Sequence, residues 1–142
     1  MKRIKGSYIL IIQLKKDKNL KIGSLGKIKF KKGYYAYVGS GMNNLQKRIE
    51  RHLNFKRKKL HWHIDYLLKN RENGNLVVRG VYFKISKVKE ECKIAEKLSK
   101  NFSSIENFGS SDCKCKSHLF YSKNFMNLEK KIKSICKSFI SL

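Results

Sequence analysis

Apolar positions along this chain fall into runs of strand length and stripes of helical period. Ser7 to Leu14 is a continuous apolar run rich in isoleucine. That is the pattern of a central strand covered on both faces. Lys15 to Gly26 is polar and punctuated by Gly23 and Gly26, which predicts a loop or a splayed hairpin arm. Lys27 to Lys31 alternates strictly and predicts a half-exposed strand. Lys32-Gly33 then predicts a turn, after which Tyr34 to Val38 pairs back antiparallel. On that strand Tyr35 and Tyr37 share one face, while Tyr34, Ala36 and Val38 share the other. Gly39-Ser40-Gly41 predicts the break that ends it.

A helix is predicted from Asn43 to Leu53, with Asn43 or Asn44 as its cap. Leu45, Ile49 and Leu53 recur at four-residue spacing as its buried stripe. Arg48 and His52 lie one turn apart on a flank of that stripe, where a side chain reaches into a cleft; Lys47 and Arg51 point further out. Lys56-Arg57-Lys58-Lys59 is an uninterrupted basic run. Alone it is a solvated loop; beside a site it is a phosphate rail.

His61 to Leu68 predicts a second helix, with Trp62, Leu67 and Leu68 in the core and His61 bonded to Asp65. A metal site there would need an extended segment, because His61 and His63 fall on different faces of a helix. Leu76 to Ile85 predicts a strand interrupted by Gly80. Ser86 is the expected cap of a helix reaching about Lys100, with Val88, Cys92, Ala95 and Leu98 as its apolar face. Glu91 projects within that face, while Glu90 and Glu96 lie off it. A carboxylate aimed at the core is costly unless it binds a metal or is paired, for instance with Arg48. His118 to Ser122 predicts a last short strand. Asn124 to about residue 140 predicts a packing helix with Leu128, Ile132, Ile135 and Phe139 on one face.

At 142 residues the chain is expected to form a single domain spanning 1–142. Its 34 Lys and Arg against 10 Asp and Glu give a net charge of +24. Such an excess attracts polyanions, so nucleic acid is the expected partner, with a lysine-biased genome as the bland contribution. No run approaches the ~18 apolar residues of a membrane span, and Ile9 to Ile12 is too short for a signal-peptide core. The expectation is a cytoplasmic protein with no membrane partner. Its four cysteines, Cys92, Cys113, Cys115 and Cys136, are then expected to be reduced or metal-bound. Cys113, Cys115 and His118 could supply three zinc ligands, with Cys92 as a fourth, although the spacing is not a common finger pattern. Otherwise the cysteines pack, and Ser110, Ser111 and Asp112 cap the loop or line a cleft.

Gly6-Ser7-Tyr8 opening the first strand, Tyr37-Val38-Gly39 on a later one, and Leu45-x-x-Arg48 on a helix resemble the GIY-YIG nuclease superfamily. The stretches His61 to Leu68 and Phe108 to Tyr121 are similar to one small, mainly archaeal branch, sometimes fused to an endonuclease III-type glycosylase. The resemblance covers nearly the whole chain. It implies an α/β (α+β) domain whose three-stranded antiparallel sheet is flanked by helices. It also implies divalent-metal-dependent phosphodiester hydrolysis in DNA repair or processing, with DNA preferred to RNA. Carried over by position, Tyr8 and Tyr37 would face each other, one orienting or activating the attacking water. Arg48 would stabilise charge on the phosphate, and Glu91 would hold Mg2+ or Mn2+. His52 would be an auxiliary acid, base or phosphate contact, and Gly39 part of the motif. Tyr8 and Tyr37 are further apart than is usual for the superfamily, which implies an extended first hairpin. The family's late asparagine has no clear counterpart; Ser111 or Asp112 stands in that region.

Three readings follow: a metal-dependent endonuclease, a nucleic-acid-binding module of the same fold that does not cleave, and a zinc-stabilised protein adaptor. The charge supports the first two and speaks against the third.

Overall fold

The computed structural model describes residues 3–54, 59–110 and 113–141. The isoleucine-rich run forms strand β1 (Gly6–Leu14), flanked by β4 (Gly33–Gly41) and β5 (Leu76–Ile85), both antiparallel to it. β7 (Leu119–Ser122) pairs with β4, and β6 (Ser103–Ser104) pairs with β7. On the other side β8 (Ser138–Ser141) pairs with β5. The result is a six-stranded antiparallel sheet in the order β6-β7-β4-β1-β5-β8, not the expected three-stranded one. The central strand is apolar on both faces because both are covered. Each fully buried isoleucine there contributes about 1.5–3 kcal/mol.

Helices α1 (Leu45–Leu53) and α2 (His63–Leu68) cover the face that carries Tyr8, Leu10, Ile12, Tyr35 and Tyr37. Helices α3 (Glu91–Ser99) and α4 (Phe125–Ile135) cover the opposite face with Ile9, Ile11, Ala36 and Val38. The mixed α/β class stands as expected.

Several local expectations are corrected. Lys27–Phe30 (β3) pairs with Lys18–Lys21 (β2) in a separate two-stranded sheet, not with Tyr34 to Val38. This hairpin lies in the chain between Tyr8 and Tyr37, and its Ile22 and Phe30 are buried against the α1–α2 side of the core. β4 does not end at Gly39 but continues to Gly41, since Ser7↔Ser40 and Gly6↔Gly41 still pair. β5 is not interrupted at Gly80. It carries a bulge instead: Ile11 pairs with Gly80 and Ile12 with Val78, leaving Arg79 as the extra residue.

Helix α3 starts three residues later than Val88, which is 68% exposed. Ser86 closes a local turn by accepting from the Val88 N–H, which diverts it from capping a helix. The last helix ends at Ile135, and Phe139 belongs to β8 rather than to a helical face. Its ring stacks on Tyr82 at a centroid distance of 4.4 Å, over Gly80, where a Cβ would collide with it. A strand partner and an aromatic contact together outweigh the helical pattern of this segment.

Candidate active site

Tyr8 on β1 and Tyr37 on β4 lie diagonally across the strand pair, because Tyr8 is opposite Gly39 and Tyr37 opposite Leu10. Their ring centroids are 6.4 Å apart. Gly39 is what lets the Tyr8 ring lie across β4, since any Cβ there would overlap the ring and its hydroxyl. Asn44 caps α1 by accepting from the Lys47 N–H, and the helix then brings His52 over the tyrosines. The Tyr8 hydroxyl and His52 Nε2 are 2.6 Å apart.

Burial ranks these groups. Tyr8 is 1% exposed and His52 0%, whereas Tyr37, also buried, is the least enclosed of the three at 8%. His52 is thus enclosed with its Nε2 turned to Tyr8 rather than to solvent. Burial pushes the Tyr8 hydroxyl well above its usual pKa, with neighbouring Tyr37 adding to the rise and Arg48 opposing it. Burial raises Tyr37 as well, and the Glu91 charge adds to it while Arg48 again opposes. Both side chains are neutral phenols at physiological pH.

Arg48 is half-buried and lies over the Trp62 ring, 4.4 Å from its centroid. Arg51 lies over the same ring at 4.3 Å. Arg51 does not stand free: it forks onto Asp65, with Nη1 donating to Oδ1 at 2.8 Å and Nη2 to Oδ2 at 2.9 Å. Burial works against ionising Asp65, but Arg51 and the Trp62 and His61 N–H groups outweigh it and hold the carboxyl below its usual value. His61 is thus tied to Asp65 through its backbone. The unit Arg48–Trp62–Arg51–Asp65 sets the direction of Arg48; Trp62 packs against the core as expected and also carries both guanidinium groups on its ring. Lys47 and Lys59 are exposed; Lys56, Arg57 and Lys58 lie outside the described residues, as do Ser111 and Asp112.

Glu91 is the first residue of α3 and reaches the end of β4, where Ser40 Oγ donates to its Oε1 at 3.2 Å. Ser40 alternates with Ala36 and Val38, so Glu91 arrives from the α3 side of the sheet while the tyrosines stand on the α1 side. The two sides meet at the end of the strand, close enough for Glu91 to influence Tyr37. Its side chain is 14% exposed and contacts Lys89 at 3.1 Å and His118 Nδ1 at 3.5 Å, not Arg48.

Beside it, Cys92, Cys113, Cys115 and His118 bring their ligand atoms within 4.8 Å of one another. This is the set anticipated from the loop composition, and it could hold a metal such as zinc. All four cysteines are free thiols. Burial raises Cys92, with Cys113 adding to it; burial and both neighbouring thiols raise Cys115. His118 is lowered by burial, which Glu91 partly offsets. No His61–His63–Asp65 metal cluster forms among the described residues. His63 instead accepts the Gly109 N–H at Nδ1, 2.9 Å away, and so fastens the loop that leads to the cysteines.

A family model described as a domain of unknown function, DUF123, matches residues 7–141. The chain belongs to the DUF123 family. The match runs from β1 into β8, so in this DUF123 domain the tyrosine pair, Arg48, Glu91 and the cysteine cluster all lie inside the matched region. No curated protein and no solved structure matches the chain. Among the described residues no helix is long and apolar enough to cross a membrane.

Three features of the DUF123 site escaped the sequence reading. Trp62 reads as core, which it is in part, but nothing in the sequence marks its ring as the seat of both Arg48 and Arg51. Lys89 carries no distinguishing pattern in a lysine-rich chain, and its contact to Glu91 emerges only from the structure. His63 bonds a backbone group 46 residues away, for which no local pattern exists.

Proposed function

We infer that the chain is an endonuclease that hydrolyses phosphodiester bonds in nucleic acid, on DNA in repair or processing. The observation that carries this is the pair of buried phenols on adjacent strands, with an oriented arginine and a carboxylate at the same strand end. The resemblance of Tyr8, Tyr37, Arg48 and Glu91 to the GIY-YIG pattern and the net charge of +24 support it.

Glu91 suits Mg2+ or Mn2+, because Mg2+ keeps several waters and takes one or two carboxylates plus substrate phosphate. When bound, such an ion supplies positive charge to the phosphate and the leaving oxygen. The chain's own groups do the rest. Tyr37, as a phenol, orients the attacking water by a hydrogen bond. Tyr8 is held behind it by His52, which offers Nε2 as a place for the phenol proton to go. Arg48, aimed by Trp62, meets the charge that builds on the phosphate oxygens. Lys47, Lys59 and the basic run at 56–58 are suited to the flanking phosphates.

The second reading, a binding module that does not cleave, is favoured by one contact: the Lys89 ammonium sits on Glu91 Oε1, where a cation would be held. Plasmid, nicked, branched and single-stranded substrates with and without Mg2+ or Mn2+ separate the two. Cleavage that disappears in Glu91→Ala and in Arg48→Ala upholds the nuclease; salt-sensitive binding with no cleavage of any substrate overturns it.

A further inference from the structure

The first turn of α3 carries two adjacent residues that face the same loop. Glu91 meets His118 through the imidazole Nδ1, and Cys92 meets it through Nε2 at 4.0 Å. Cys113 Sγ is 3.4 Å from the same Nε2. The ring therefore divides its two nitrogens between a carboxylate and a group of thiols.

We propose that Cys92, Cys113, Cys115 and His118 bind a structural Zn2+, and that this site is the mount that holds Glu91 in place. Zn–S bonds of about 2.3 Å and Zn–N bonds of about 2.0 Å at tetrahedral angles put ligand atoms roughly 3.5–3.8 Å apart. The sulfur–nitrogen separations of 3.4 and 4.0 Å straddle that spacing, and all four ligand atoms lie within 4.8 Å of one another, so closure draws the cluster in by at most about an ångström. None of the four ligand residues is exposed. Three thiolates and a divalent ion leave one negative charge, and Lys89 lies near enough to respond to Cys92 and Cys113.

The arrangement of His118 matches what a zinc ligand needs. A ligating imidazole gives one nitrogen to the metal and donates from the other to a carboxylate or carbonyl, which fixes its tautomer and orientation. Here Glu91 Oε2 lies 3.5 Å from the Nδ1 left free, placed to take that part once the metal turns the ring. Helix α3 is nine residues long, and its N-cap, Glu90, makes no side-chain capping bond. A metal bound to Cys92 anchors that uncapped end, and His118 then fixes the side chain of the residue before it. The zinc site stands without the nuclease reading; only the catalytic meaning of a fixed Glu91 rests on it.

The test uses the reduced full-length protein and no nucleic acid. Elemental analysis is expected to give about one zinc per chain, and Co2+ in its place is expected to give the strong visible bands of a tetrahedral thiolate site. Cys113→Ser and Cys115→Ser are expected to lose both. Should those variants fail to fold, competition of the wild-type protein with a chromophoric chelator decides the same point. Glu91→Gln is expected to keep the tetrahedral cobalt spectrum while binding Zn2+ about 10- to 100-fold more weakly. Failure of the reduced protein to take up zinc or cobalt overturns the site. An unchanged zinc affinity in Glu91→Gln overturns the mount. Zinc binding that depends on Glu91, in a protein that cleaves nothing, upholds this proposal and overturns only the nuclease.

Discussion

The Tyr8 hydroxyl and His52 Nε2 lie 2.6 Å apart with almost no solvent access to either. This buried hydrogen bond links β1 to α1 across 44 residues and lies beside Tyr37, whose ring is 6.4 Å from that of Tyr8 and 6.1 Å from that of His52. If the chain cleaves nucleic acid as proposed, with the Tyr37 phenol acting on the water rather than on the polyanion, Tyr37→Phe lowers single-turnover cleavage by about 10²–10⁴-fold while nucleic-acid affinity changes little.

Tyr8→Phe should combine a loss of activity with a loss of stability. The substitution leaves a buried imidazole without its phenol partner, which costs about 1–3 kcal/mol. Urea titration measures it. A variant with wild-type stability and no activity would mean that His52 finds another partner on its own.

Gly39→Ala tests the packing that makes room for Tyr8. A Cβ at this position overlaps the Tyr8 ring, so either β4 or the ring moves. Overpacking of this kind costs about 1–3 kcal/mol, and the displaced hydroxyl should carry most of the cleavage activity away with it. Thermal melts and cleavage rates on one preparation check both parts.

Trp62→Leu should leave the fold nearly intact and impair Arg48. Cation–π contacts of this kind are worth about 0.5–2 kcal/mol, and two guanidinium groups use the same ring. The expected signature is a lower kcat with KM changed much less, and partial recovery in Trp62→Phe. Equal losses in kcat/KM and in thermal stability would mean that Trp62 serves the core alone.

The pH dependence of stability has a worked sign through His63. Burial lowers its pKa below the ordinary 6.5, so the folded state prefers the neutral ring that accepts the Gly109 N–H. Its contribution is fully present above pH ~6.5 and is lost as the pH falls through the lowered folded value. His63→Gln should flatten this part of the stability profile, as read by urea midpoints between pH 7 and 5.

Much of this was legible because the physics is local. β1 declares burial on both faces by being apolar at every position. The Leu45–Ile49–Leu53 stripe declares α1, and it leaves Arg48 and His52 on its flank by arithmetic alone. Cys113, Cys115 and His118 are marked by type within one short loop, and Cys92 joins them through tertiary structure. What could not be read depends on pairing between distant segments. β3 has an alternation that fits β2 or β4 equally, and only the packing of Ile22 and Phe30 chooses. Phe139 continues the period of α4 but gains more from Tyr82 and a strand partner. Val88 fits the wheel of α3, yet Ser86 spends its hydroxyl on a local turn and the helix starts later. Arg51 looks like a free cation until Asp65 is brought to it.

The position of Tyr8 in the middle of a six-stranded sheet has a consequence for motion. Amide groups at the centre of such a sheet exchange with solvent only through openings near the global unfolding free energy. Tyr8 and Tyr37 thus belong to the slowest-opening part of the molecule, and no lid or hinge can rearrange them without disrupting β1 itself. If this end of the sheet cuts a nucleic acid, adaptation falls to the other partner: the strand must bend or unstack to bring its phosphate to a fixed pair of phenols. Pre-bent, nicked or branched duplexes, whose deformation is already accomplished, are then the substrates on which turnover should be fastest.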